Sequence, residues 1–311
     1  MLAQKNAMKP YTDEGPINCD VDIDSSSVKG KTAIVTGGAN GIGEAYVRAL
    51  SKAGAFVVIA DVSERDGERL SKELGSSARF VKCDVSSWAD QVAVFKAAAA
   101  SSPSGRIDVV IPNAGIGGQL ESVFSTKVED TDPEEPKLKI MNINLTGVLY
   151  TVKLALHYFR RQNASNKGGD LDQVLILQGS LAGFLAIPGA VEYSTSKWGV
   201  RGIFRTLRET EFQHNIRVCY IAPSFVYTNI LGDGLVQLLN NSKIEWATVE
   251  DAAEAVMRIV TDPNVQGRAL TIVPRSLAPR GYFDLSDDDK EGSAVYPLIR
   301  ESVGKLNLRR H

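Results

Sequence analysis

The sequence predicts an α/β domain built on one doubly wound parallel sheet, with helices on both faces. Three observations predict it. Short, continuously apolar runs alternate with longer amphipathic or alanine-rich stretches along most of the chain. Strands that are apolar without alternation are buried on both faces, which is the condition of a parallel sheet covered by helices. The first such run passes directly into a glycine-rich turn, Thr36-Gly37-Gly38-Ala39-Asn40-Gly41-Ile42-Gly43, and then into a helical stretch. No shift in composition marks a second domain, and 311 residues that are 43% hydrophobic suffice for one large core.

Taken in order, a polar arm over residues 1–28 precedes the domain, which spans 29–275 and leaves a tail over 276–311. Strands are predicted at 32–36, 56–60, 78–83, 107–111, 174–177, 216–222 and 269–273, each a run rich in valine, isoleucine or alanine. Helices are predicted at 43–52, 65–74, 88–100, 138–162 and 193–212. Residues 119–136 and 163–172 read as polar insertions. The acidic runs there and at Asp287-Asp288-Asp289 read as solvated surface.

Composition narrows the functional classes. A formal charge of −2, from 35 basic and 37 acidic residues, gives no field for nucleic acid or an anionic membrane. Cys19, Cys83 and Cys219 are far apart and odd in number, which fits a reducing compartment and no metal cluster. His157, His214 and His311 form no ligand set either, so no metal is expected. The first 28 residues carry five acidic groups and no apolar core, unlike a secretory signal. No run approaches the roughly 18 apolar residues of a membrane span. A cytoplasmic protein is expected.

The glycine turn carries the first chemistry. Gly37 and Gly41 allow a tight backbone turn, and Gly43 lets the helix approach the sheet. The helix N-terminus then offers free N–H groups and partial positive charge to a pyrophosphate. Asp61 ends the next strand, 18 residues after Gly43, near the roughly 20 expected of an acid that binds the adenosine ribose hydroxyls. A carboxylate there accepts from a 2′-hydroxyl and repels a 2′-phosphate, so the expected cofactor is NAD. Downstream, Tyr193 and Lys197 stand four residues apart on one helix face.

Together these residues resemble the classical short-chain dehydrogenase/reductase family. The resemblance covers about 29–273 and rests on several motifs in one order. Asn113-Ala114-Gly115 matches the family's Asn-Ala-Gly after its fourth strand, and Asp84-Val85 the pair that contacts adenine. Asn144, in Met-Asn-Ile-Asn-Leu-Thr-Gly, matches the tetrad asparagine; Asn142 competes, but the pattern Asn-Leu-x-Gly selects Asn144. Ser180 lies 13 residues before Tyr193, at the catalytic serine's usual interval. Pro223 to Thr228, with Val226, resembles the stretch that grips the nicotinamide. Asn40 and Ile42 in the turn, and Val62 after Asp61, complete the expected cofactor set. The run from Tyr193 is similar to fungal and 15-hydroxyprostaglandin-dehydrogenase-like members. Two positions depart from the pattern: the usual Ser-Ser reads Gly179-Ser180, and the usual Pro-Gly reads Pro223-Ser224.

The resemblance implies a Rossmann-fold sheet ordered 3-2-1-4-5-6-7 and catalysis by Asn144, Ser180, Tyr193 and Lys197. Free tyrosine, with a pKa of about 10, is a poor base near neutrality. The Lys197 ammonium and a cationic nicotinamide are expected to lower it. Lys197 would also bind the nicotinamide ribose, Asn144 hold water in a proton relay and Ser180 polarise the substrate oxygen. The expected reaction is hydride transfer between NAD and a secondary alcohol or ketone carbon. An NADH-dependent ketone reductase is the near alternative; a non-catalytic nucleotide sensor or a nucleotide-sugar epimerase fits the retained motifs less well. Gly117-Gly118 and residues 181–189 and 229–246 should border the substrate pocket. Phe184, Leu185, Ile187, Phe225, Ile230, Leu231, Leu235 and Leu238 make it apolar, suited to a hydrophobic small molecule. The helices at 138–162 and 193–212 carry apolar residues over a wide arc, so pairing with a second subunit, as homodimer or homotetramer, is expected.

Overall fold

The structure is a computed structural model that describes residues 8–12, 14–117, 132, 135–166, 171–185, 187, 189–228 and 230–286, without the side chains of Leu235 and Leu238. Gly118, most of 119–136, residues 167–170, Asn229 and Asp287-Asp288-Asp289 lie outside the described residues.

The buried apolar runs form β1 (Thr32–Thr36), β2 (Phe56–Asp61), β3 (Ala78–Lys82), β4 (Val109–Ile111), β5 (Gln173–Gln178), β6 (Ile216–Pro223) and β7 (Ala269–Ile272). A short β8 (Tyr282–Asp284) follows them. The sheet order is β3-β2-β1-β4-β5-β6-β7-β8, with the order inferred for the first seven strands present as expected. Every pair is parallel except β7 with β8, where Ile272 faces Tyr282 in antiparallel register.

Successive side chains of a strand point to opposite faces, and both faces here are covered. Ala33 and Val35 of β1 join one apolar layer with α1 (Gly41–Lys52), α2 (Glu64–Leu74) and α8 (Val249–Thr261). Ile34, between them, joins the opposite layer with α3 (Trp88–Ser101), α5 (Gly147–Ser165) and α6 (Val191–Arg208). That two-sided burial is why the strands read as unbroken apolar runs. Polar caps start several helices: Ser63 and Ser87 accept from the N–H groups of Asp66 and Asp90, and Thr248 with Asp251 forms a reciprocal box at α8.

The structure departs from the sequence expectations at four places. The helix expected at 138–162 is interrupted: α4 (Lys139–Met141) runs through a π turn, Asn142–Thr146, into α5. The helix expected at 193–212 starts earlier, at Val191, and ends at Arg208. A separate turn, Glu211–His214, follows and closes on Asn215 at φ 56°. α7 (Asp233–Asn241) and α8 form where no element is predicted. β8 is the fourth, and its cause is non-local. Arg268, just before β7, pairs with Asp284 of β8, and Asp284 also accepts the N–H of Ile17 from the N-terminal segment at 2.9 Å. Tyr11 lies under Arg208, with 4.1 Å from guanidinium carbon to ring centroid.

Candidate active site

A cleft of about 350 Å³ opens at the carboxyl ends of β1, β2, β4, β5 and β6, where the sheet order reverses between β1 and β4. Every residue of the expected cofactor set lines it, together with Ser180. Cys83, Ile116, Ile143 and Gln178 also line it, though no motif marks them as site residues, as does Gly179, where the family pattern has serine.

Its floor is the glycine turn. Gly37 holds φ 62°, and a Cβ there would fall 2.7 Å from the Cα of Ala114. A Cβ on Gly43 would lie 2.0 Å from the Gly37 carbonyl oxygen, so the helix start and the turn touch backbone to backbone. Asn113 braces this contact, its Nδ2 donating to the carbonyls of Thr36 (2.9 Å) and Gly37 (3.0 Å). Asp61 is nearly buried at the end of β2 and accepts from the N–H groups of Ala39 and Ser63, each at 3.0 Å. A carboxylate offers about four acceptor sites, so two bonds do not exhaust it. Arg65, by contrast, points outward at 89% side-chain exposure and pairs with Asp66. The Asp84 carboxylate accepts from the N–H and hydroxyl of Ser86, while Val85 is buried against Gly147.

The reactive groups meet at the other end. α6 delivers Tyr193 and Lys197 from one face, and the turn after β5 delivers Ser180, whose Oγ accepts from the Ala182 N–H at 3.1 Å. Ser180 lies close enough to Tyr193 to favour the ionised phenol. The Lys197 ammonium stands 5.6 Å from the Tyr193 ring centroid and donates to the Gln178 carbonyl at 3.3 Å. Burial pushes the Tyr193 phenol up, with the Ser180 side chain opposing it, and pushes Lys197 down to about 8. The expected lowering of the phenol by Lys197 is therefore not met by the protein's own groups, because the same burial disfavours both charges.

Asn144 sits behind the cleft wall, fully buried, in the π turn. Its amide is engaged on three sides: Oδ1 accepts from the Ile116 N–H (2.8 Å), and Nδ2 donates to the Ile116 carbonyl (2.9 Å) and to Ser196 Oγ (3.3 Å). Ser196 Oγ in turn donates to the Tyr193 carbonyl at 2.7 Å. Asn144 and Ser196 thus lock α6 to the strand-four loop. Ser196 lies inside the Tyr193–Lys197 motif, yet its role depends on Asn144, 52 residues away, which spacing alone does not reveal.

Among the apolar residues expected at the substrate side, Ile230 and Leu231 line the cleft. Phe184 instead lies against Tyr220 and under the Arg201 guanidinium, 4.0 Å from its ring centroid. Leu185 is exposed, Phe225 half-buried, and the Leu235 and Leu238 side chains lie outside the description. Ser224, where the family pattern has glycine, holds no positive φ and donates its N–H to the Ile272 carbonyl at 2.9 Å; the departure costs no strain. Among the described residues no group of three or more His, Cys, Asp or Glu could hold a metal ion, and no helix is long and apolar enough to cross a membrane.

The family model of the short chain dehydrogenases matches residues 31–235, and the chain belongs to that family. It is 34% identical to 5'-hydroxyaverantin dehydrogenase of Dothistroma septosporum, over 88% of this chain and 93% of that protein. It is 32% identical to NADP-dependent dehydrogenase M3 of a Phoma species, over 94% and 91%. Among solved structures, 3-ketoacyl-(acyl-carrier-protein) reductase from Brucella melitensis, complexed with NADH, is similar at a TM-score of 0.68 and 27% identity, over 79% of this chain and 97% of that one.

Proposed function

We propose that the protein is an NAD-dependent oxidoreductase acting on a secondary alcohol or ketone carbon of a hydrophobic small molecule, with Tyr193 as acid–base. The observation that carries the reading is one cleft that holds the glycine turn and Asp61 at one end and Ser180, Tyr193 and Lys197 at the other. A dinucleotide fits these residues. The start of α1 meets a pyrophosphate, and Asp61 retains acceptor capacity for a ribose diol. When bound, the nicotinamide supplies the hydride acceptor or donor.

In oxidation, Ser180 would hold the substrate oxygen and Tyr193 would take its proton. In reduction, the same phenol returns the proton. Lys197 would bind the nicotinamide ribose and keep a positive charge near the phenolate. Because the Asn144 amide is occupied, its part in a relay falls to its backbone, with the side chain holding the loop at Ile116.

Asp61, with no cation beside it among the residues of the cleft, supports NAD over NADP. Two relatives are named NADP-dependent dehydrogenases, which makes the cofactor preference a point to measure. Ile143, Ile230 and Leu231 support an apolar substrate, and the name 5'-hydroxyaverantin dehydrogenase supports a hydroxyl-bearing one. We further propose a homo-oligomer joined through α5 and α6, and a cytoplasmic location. A panel of hydrophobic secondary alcohols with NAD⁺ and NADP⁺, followed by reduced-cofactor absorbance, tests the reading. NADH formation is expected, and no turnover of any alcohol or matching ketone with either cofactor would contradict it.

A further inference from the structure

Gly179 stands where the family pattern has a serine, and Tyr220 explains why. A Cβ at position 179 would fall 1.8 Å from both the Cζ and the hydroxyl oxygen of Tyr220. Tyr220 lies on β6, a strand paired on both sides, and is fully buried. Its ring is held between Phe204 (centroids 5.3 Å apart) and Phe184 (5.9 Å). Its hydroxyl oxygen accepts the Ser180 N–H at 3.4 Å, and a Cβ on Gly183 would come within 2.9 Å of it. The phenol head therefore fills a notch with Gly179 before Ser180 and Gly183 at the end of the turn after it.

We propose that Tyr220 is a positioning residue for Ser180, and that Gly179 is the substitution that admits it. Tyr220 does not line the cleft, so it acts only through Ser180; the inference thus rests on the proposed role of the Ser180 hydroxyl. That hydroxyl also caps the turn, accepting from the Ala182 N–H, so a shift of the turn moves the hydroxyl with it. A rigid central strand and two flanking aromatic rings are the kind of support that holds a reactive group in place. The turn at Gly179-Ser180 is too small to supply this itself.

The test uses four variants and the wild type, assayed with NAD⁺ and cyclohexanol, indanol and menthol. Alongside turnover, the Tyr193 phenol is titrated by near-ultraviolet absorbance against a Tyr193→Phe derivative of each protein. This second readout needs neither cofactor nor substrate. Lys197 is the titratable group facing that phenol, and it is unchanged throughout. Tyr220→Phe keeps the ring and removes the acceptor. It is expected to lower kcat roughly tenfold, inside the about hundredfold that an ångström of misplacement can cost, with KM for NAD⁺ unchanged. The Tyr193 midpoint is expected to move up, as Ser180 is displaced and its favourable effect on the ionised phenol is lost. An unchanged midpoint and kcat would overturn the proposal.

Gly179→Ser tests the steric half: it is expected to lower Tm sharply, and Gly179→Ser with Tyr220→Val to recover most of the loss. A Gly179→Ser protein as stable as wild type would overturn the proposal, and this arm decides it should Tyr220→Phe fail to fold. Ser180→Ala separates the two readings. If it leaves the Tyr193 midpoint and turnover untouched, the proposed site is wrong; if it impairs both while Tyr220→Phe does not, only the positioning role falls.

Discussion

Asp61 and Lys197 show how burial sets the behaviour of single residues in this cleft. Asp61 is held by two backbone N–H groups on its own side of the cleft. Its remaining acceptor capacity faces the region where a ribose diol would lie, and a 2′-phosphate there would meet a fixed negative charge. Asp61→Ala, and more so Asp61→Ala with Val62→Arg, is expected to lower kcat/KM with NAD⁺ and raise it with NADP⁺. A wild type that already prefers NADP⁺ would refute the role given to Asp61. Lys197 carries a stability prediction with a definite sign. Its pKa falls from the ordinary lysine value of 10.5 to about 8 in the fold, so the folded state binds its proton more weakly than the unfolded state does. The resulting penalty is fully present below about pH 8 and disappears as pH rises toward the unfolded value. Lys197→Met should therefore stabilise the protein near pH 7, by about 3 kcal/mol at most, and the advantage should shrink through the window from about 8 to 10.5. Urea denaturation at several pH values reads this directly, and a variant advantage that grows with pH would contradict it.

Among the elements, β8 has the most to explain. It extends the sheet beyond β7 and is tied by Arg268 and Asp284, both nearly fully buried. Removing one partner of such a pair leaves a buried charge uncompensated, which typically costs about 3–5 kcal/mol. Arg268→Met should lower stability by about that amount while leaving KM for NAD⁺ unchanged, since the pair lies away from the cleft. Equal denaturation midpoints for variant and wild type would show that the pair does not hold the strand. β8 is not legible in the sequence because three residues carry too little pattern and their cause is a contact 16 residues back. The first seven strands are legible because two-sided burial writes itself as apolar runs. The π turn at Asn142–Thr146 is hidden for a different reason, since it alters backbone hydrogen bonding while the flanking apolar spacing still reads as one helix. α8 did have a readable start in Thr248-Val249-Glu250-Asp251, a capping box ahead of an apolar face. At the site, residues on motifs are legible, whereas Ser196, Gln178 and Tyr220 act through contacts between distant segments.

For the whole molecule, α5 and α6 decide the expected assembly. Much of the apolar arc read in the sequence is used within the chain: Val148, Val152, Leu154, Val200 and Phe204 are buried against the sheet. Leu149 and Trp198 remain about half exposed, one on each helix. These two residues are a smaller apolar surface than the sequence alone suggests, and a second copy pairing through α5 and α6 would cover them. Light scattering at micromolar concentration should give a mass of two or four chains of 33.6 kDa, and Trp198→Glu should lower it. A wild-type mass of one chain would end the proposal. The central claim is that one phenol moves the substrate proton in a cleft that also binds NAD. Its most direct test compares wild type with Tyr193→Phe, measuring NADH binding by fluorescence and turnover of the best alcohol in the panel. The variant should bind NADH as the wild type does and lose turnover by about a hundredfold or more. Turnover near the wild-type rate in Tyr193→Phe would contradict the account.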